Sequence, residues 1–99
     1  MKLVFTLEAE RQAEESDLWC RANRPKAPGL FAKKLTEAKT FIVRTPKLGK
    51  VHTLVDGQEM RRVLLPKTGH HVYYTVDMAL ITIHAVWGAP RSGGPRLRG

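Results

Sequence analysis

Between residues 51 and 87 three turn signals cut the chain into four runs of strand length, and this punctuation constrains the fold more than any other feature. Asp56-Gly57 suits a two-residue hairpin, because both residue types tolerate positive φ. Pro66-Lys67-Thr68-Gly69 joins a residue of fixed φ to a glycine, the composition of a turn. Asp77 marks a third, tight junction. The runs between them, at residues 51–55, 59–65, 70–76 and 80–87, are rich in valine, isoleucine, leucine and tyrosine, which pleated surfaces accept well. Short strands with short links fold back on one another, so a mainly antiparallel meander is expected.

Before the meander the period changes. Residues 2–7 alternate, with Leu3, Phe5 and Leu7 on one face of a first strand. Residues 8–23 then read as a helix with a narrow stripe of small residues, Ala9, Ala13, Ser16 and Cys20, flanked by Trp19. Acids crowd its first turns while Arg21 and Arg24 close it, in keeping with the helix dipole. Leu18 points away from the stripe. The Arg24-Pro25-Lys26-Ala27-Pro28-Gly29 segment breaks the helix. A second helix over residues 28–43 carries Phe31, Leu35, Ala38 and Ile42 on one side and ends at Pro46-Lys47-Leu48-Gly49. Two helices with a short break predict an antiparallel hairpin covering a sheet. The expectation is an α+β, two-layer domain over residues 1–88: an N-terminal strand, a helical hairpin, then a four-stranded meander. Residues 89–99 read as a basic, flexible tail.

A chain of 99 residues has room for one domain and one core. The single cysteine, Cys20, has no internal disulfide partner and reads as a small core residue. No apolar run approaches the roughly 20 residues of a membrane span, and the N-terminus alternates as a strand instead of forming a leader's apolar core. A cytoplasmic protein is expected. Its net charge of +8 is unevenly placed: residues 1–20 hold five acids and two bases, and the remainder hold fifteen bases and four acids. Such a surface attracts polyanions and acidic protein segments.

The residues suggest no metal and no cofactor. His70 and His71 are strand neighbours, so they face opposite sides and do not share an ion, and there is no Cys-x-x-Cys or helical His-x-x-x-His. No glycine-rich turn joins a strand to a helix. The cations are more informative. Arg61 and Arg62 diverge to the two faces of one strand, Lys67 lies in a turn, Arg91 follows the last strand, and Tyr73 and Tyr74 diverge as well. If the last strand neighbours either of the two before it, an Arg, Lys and Tyr cluster can form on the open face. A metal-independent ribonuclease needs such groups to stabilise a pentacoordinate phosphate and to move protons. Solvated strand-end arginines and a core Tyr74 would produce the same spacing.

Several segments together resemble the RelE/ParE toxins of bacterial type II toxin–antitoxin pairs. They are Arg61-Arg62-x-Leu64-Leu65, His71-Val72-Tyr73-Tyr74-x-Val76, and Ile83-x-Ala85-Val86-Trp87 followed by Arg91. The Phe5 strand, Asp17-Leu18, Phe31/Leu35/Ala38 and Pro46-x-x-Gly49 extend the resemblance over most of the chain. It implies a compact toxin neutralised by a cognate acidic antitoxin, with Leu18 and Trp19 as apolar antitoxin contacts. ParE-like members poison DNA gyrase by protein–protein contact, and on that branch Arg61, Arg62, Lys67 and Arg91 are the expected target contacts. RelE-like members cleave ribosome-bound mRNA, and on that branch Lys67, His70, His71 and Arg91 would carry the chemistry. Pro66 stands where RelE has a catalytic arginine, and no tyrosine or histidine follows Arg91. Both departures favour ParE. An inactive basic binding module is the third reading.

Overall fold

The computed structural model describes residues 1–88, so Arg91 and the expected tail lie outside the described residues. The chain runs β1 (Lys2–Phe5), α1 (Leu7–Asn23), α2 (Leu30–Arg44), β2 (Lys50–Val55), β3 (Gln58–Leu65), β4 (His70–Asp77) and β5 (Leu80–Gly88). The five strands form one sheet in the order β1-β5-β4-β3-β2. The meander is antiparallel as expected, while β1 joins β5 in parallel register, from Lys2 opposite Leu80 to Phe5 opposite Ile83.

One difference from the sequence reading is at the first junction. Leu7 does not continue β1 but opens α1, and it is 73% exposed. The cause is Thr6, whose extended backbone (φ −68°, ψ 160°) and Oγ1, accepting from the Ala9 N–H at 3.1 Å, cap the helix one residue earlier. A second difference concerns the buried stripe of α1, which is Ala9, Gln12, Ser16 and Cys20. Ala13 packs at its margin. Gln12 is needed inside because β1 ends at Phe5 and leaves the rim of β5 open. Gln12 Oε1 accepts the Val86 N–H at 2.8 Å, supplying a partner that the ladder lacks.

Both helices cover one face of the sheet. Phe31, Ala38 and Ile42 of α2 meet Leu65, Val72, Tyr74, Ile81, Ile83 and Val86, with Leu3, Phe5 and Leu35 packed against them. The other face holds a smaller cluster of Met60, Tyr73 and Ala85, bordered by Val55 and Trp87. Asp56 and Gly57, at φ 50° and 78°, make the hairpin turn foreseen for that pair. No described helix is long and apolar enough to cross a membrane.

Candidate functional site

Two irregularities in the ladder shape the helix-free face. Val51 pairs with Arg61 and Thr53 with Met60, so His52 is an extra residue in β2. Tyr73 pairs with Ala85 and Tyr74 with Ile83, so His84 is an extra residue in β5. An inserted residue re-aims its side chain, and bulges are common beside functional sites. Here both inserted residues are histidines. The His52 ring meets the Tyr73 ring edge-on at 5.1 Å, and the His71 ring lies 6.2 Å from it. Arg62 stands directly across from Tyr73 in β3. His84 Nε2 is 2.9 Å from the buried Thr75 hydroxyl.

Burial, chiefly, pulls the His71 imidazole below its ordinary pKa, and the Arg62 guanidinium, His52 and His70 add to the effect. Burial does the same to His84. The result is a neutral imidazole beside a guanidinium and a phenol. That set can bind an anion and accept a proton.

The face divergence of Arg61 and Arg62 is as the sequence implied, and its consequence is plain. Arg61 points to the helix side, where its Nη1 donates to the carbonyls of Lys47 at 2.8 Å and Gly49 at 2.7 Å. Nη2 lies 3.5 Å from Glu59, and the side chain is only 15% exposed. Tyr74, fully buried on the same side, donates its hydroxyl to the Pro46 carbonyl at 2.8 Å, and burial raises its pKa. These two residues hold the loop between α2 and β2. Of the two arginines, Arg62 alone reaches the helix-free face.

Lys67 occupies a different part of the surface. The Thr68 N–H donates to the Leu65 carbonyl at 3.2 Å and closes a four-residue turn, with Pro66 and Lys67 at its centre. Lys67 has φ 69°, a left-handed conformation usually given to glycine at this position. The turn is braced on both sides. Thr68 Oγ1 donates to the Leu65 carbonyl at 2.7 Å and accepts from the His70 N–H at 3.1 Å, and Arg24 Nη1 donates to the Lys67 carbonyl at 2.9 Å. His70 faces the helices, its ring edge-on to Phe31 at 5.2 Å, with Nδ1 2.9 Å from the Thr68 carbonyl.

Leu18 and Trp19 are 66% and 53% exposed. Trp19 borders a groove of about 380 Å³ with Ser16, Arg24, Thr68, Gly69, His70 and Gly88. The structure thus brings Arg62 and His71 together around Tyr73, and places Lys67 and His70 on either side of Thr68 at the β3–β4 turn. It separates these two groups and assigns Arg61 to a loop. Sequence reasoning missed His52, His84 and Arg24. A bulge leaves no period-two signature, and a bond from Arg24 to a backbone carbonyl 43 residues away has no local trace.

Among the described residues no group of three or more His, Cys, Asp or Glu is placed to hold a metal ion. No family model matches the chain, and no curated protein matches it.

Proposed function

We propose that the chain is a ParE-like toxin of a type II toxin–antitoxin pair, acting in the bacterial cytoplasm by contact with DNA gyrase and neutralised by an acidic antitoxin. The order of its elements, a strand, a helical pair and a four-stranded meander, is the layout that the resemblance to RelE/ParE toxins implies. The observation that carries the choice of branch is the dispersal of the cations. Arg61 is engaged by the carbonyls of Lys47 and Gly49, Arg62 lies on the opposite face, and Lys67 sits in a turn. A contact surface tolerates dispersal, whereas cleavage of a phosphodiester needs cations that converge on one phosphate. Exposed Leu18 and Trp19, of which Trp19 borders a groove, on a chain of charge +8, suit an acidic segment that folds as it binds.

The test is purified protein with gyrase, supercoiled plasmid and ATP, stopped with detergent and protease. Linear DNA that rises with dose is the expected result. No linear DNA, together with cut mRNA in a translating extract, overturns the proposal and favours a RelE-like endoribonuclease. One observation speaks for that second reading: His71, His52 and Arg62 surround Tyr73 on the sheet face that neither helix covers. On that reading His71→Ala abolishes cleavage, while on the first it leaves gyrase poisoning intact.

A further inference from the structure

Three chain segments put apolar side chains into solvent at one end of the molecule. The β4–β5 turn carries Met78, 91% exposed and at φ 52°. The loop after α2 carries Leu48, 71% exposed, and Met1, 56% exposed, precedes β1. The three are neighbours, since Met1, Pro46, Lys47, Leu48, Val76 and Met78 line one groove of about 540 Å³. Their backbones are braced. The Lys2 N–H donates to the Ala79 carbonyl at 3.0 Å, which ties the start of β1 to the β4–β5 turn. Arg61 holds the carbonyls of Lys47 and Gly49, and Tyr74 holds that of Pro46. A left-handed residue with a Cβ is strained, and a side chain as bare as that of Met78 makes too few contacts to offset it.

Cations without acid partners accompany this patch. Lys2, Arg44 and Lys47 are exposed and form no ion pair among the described residues. Lys47 lines the groove itself, and Arg44 directly precedes Thr45 in its wall. Residues 1–2, 44–48 and 77–80 together hold three bases and one acid, Asp77. We infer that this end of the molecule docks on an anionic lipid bilayer. Met78 and Leu48 enter the boundary between headgroups and acyl chains, while Lys2, Arg44 and Lys47 meet the headgroup phosphates. Surface-bound proteins combine these two contributions, apolar insertion and attraction to anionic lipid. Side chains that project from turns suit such a partner, because a fluid acyl layer takes them in without a shape-matched pocket. The inference does not depend on the toxin reading: the surface and its test stand whether or not gyrase is the target.

The chain has three methionines, and Met60, fully buried, serves as an internal control for Met1 and Met78. The whole protein, labelled with carbon-13 at the methionine methyls, is titrated with lipid nanodiscs that carry a gadolinium-chelating lipid. On phosphatidylglycerol discs the Met1 and Met78 signals should broaden while that of Met60 persists. Phosphatidylcholine discs should bind at least tenfold more weakly. Lys47→Gln should weaken binding to the anionic discs about fivefold, the effect of one cation near such a surface. Leu48→Asp should weaken it at least tenfold, and Arg62→Gln, on the helix-free face, should leave it unchanged. An unaltered Met60 shift shows that a variant has kept its core; if Leu48→Asp moves that shift, Met78→Ser, read by disc affinity, takes its place. A Met78 signal that stays sharp on anionic discs overturns the inference. So does a loss of affinity in Arg62→Gln but not in Lys47→Gln, which would place the bilayer on another face. A Met78 signal that shifts with protein concentration in the absence of lipid assigns the patch to a second copy of the chain instead.

Discussion

Gly49 lies against the Tyr74 ring so closely that a side chain there has no space. A Cβ at position 49 would meet the Tyr74 hydroxyl and come within 2.9 Å of Cζ. Gly49→Ala should cost about 1–3 kcal/mol by overpacking, and Tyr74→Phe about 1 kcal/mol through the lost bond to Pro46. In a double-mutant cycle read by urea unfolding, Gly49→Ala should cost less when combined with Tyr74→Phe, since the nearest clashing atom is gone. Additive costs would show that Tyr74 and Gly49 are not coupled. The histidines give a second prediction. The folded state holds His71 and His84 below the ordinary imidazole pKa of about 6.5. The unfolded chain therefore binds more protons just below that value. Stability should be full above it and fall as pH drops from about 6.5 towards the folded pKa values. His84→Gln retains a partner for Thr75 and should flatten that slope in urea titrations across the window. The opposed faces of the two arginines and the two tyrosines were legible from strand period alone. The roles of His52 and His84 were not, because each is the extra residue of a bulge.

Turn chemistry made the elements of the meander readable, and capping chemistry corrected the first strand of the chain. Asp56-Gly57 announced its hairpin, but Lys67 and Met78 adopt φ 69° and 52° with no glycine to signal it. Met78 is 91% exposed as well, so nothing in its packing explains the conformation. In α1, a period of 3–4 residues found the buried side but chose Ala13 over Gln12, because hydropathy ranks alanine higher. What decides the matter is a non-local demand, the unpaired Val86 N–H on β5. Gln12→Leu should orphan that buried donor and cost about 1–3 kcal/mol, despite the added apolar volume. Hydrogen exchange should show the Val86 amide losing protection first. If stability rises instead, the Gln12 bond contributes less than the burial that replaces it.

At the scale of the molecule, charge is sorted by element. Glu8, Glu10, Glu14 and Glu15 lie exposed on α1, Lys33, Lys34, Lys39 and Arg44 belong to α2, and Lys50 and Arg62 stand on the helix-free face. A polyanion bound at the helix-free face should show a salt-dependent affinity to which Arg62 contributes. Arg62→Gln should reduce the slope of log affinity against log salt by about one for a duplex DNA oligonucleotide, and Arg61→Gln should leave it nearly unchanged. Equal changes would mean that Arg61 is released from its loop carbonyls in solution. The uneven charge was visible in the sequence, but that Arg62 and not Arg61 stands on the helix-free face beside Lys50 depended on strand register.

The parallel pairing of β1 with β5 also sets a timetable. Among the described strands, β1 has as its sheet neighbour β5, which it meets from Leu80 to Ile83, almost eighty residues further along. Contacts so distant along the chain raise the contact order and close only after the intervening loops are fixed. The helical pair can form early, but β1 has nothing to zip to until translation has passed β5. A product truncated before residue 80 therefore leaves β1 without the strand it pairs with.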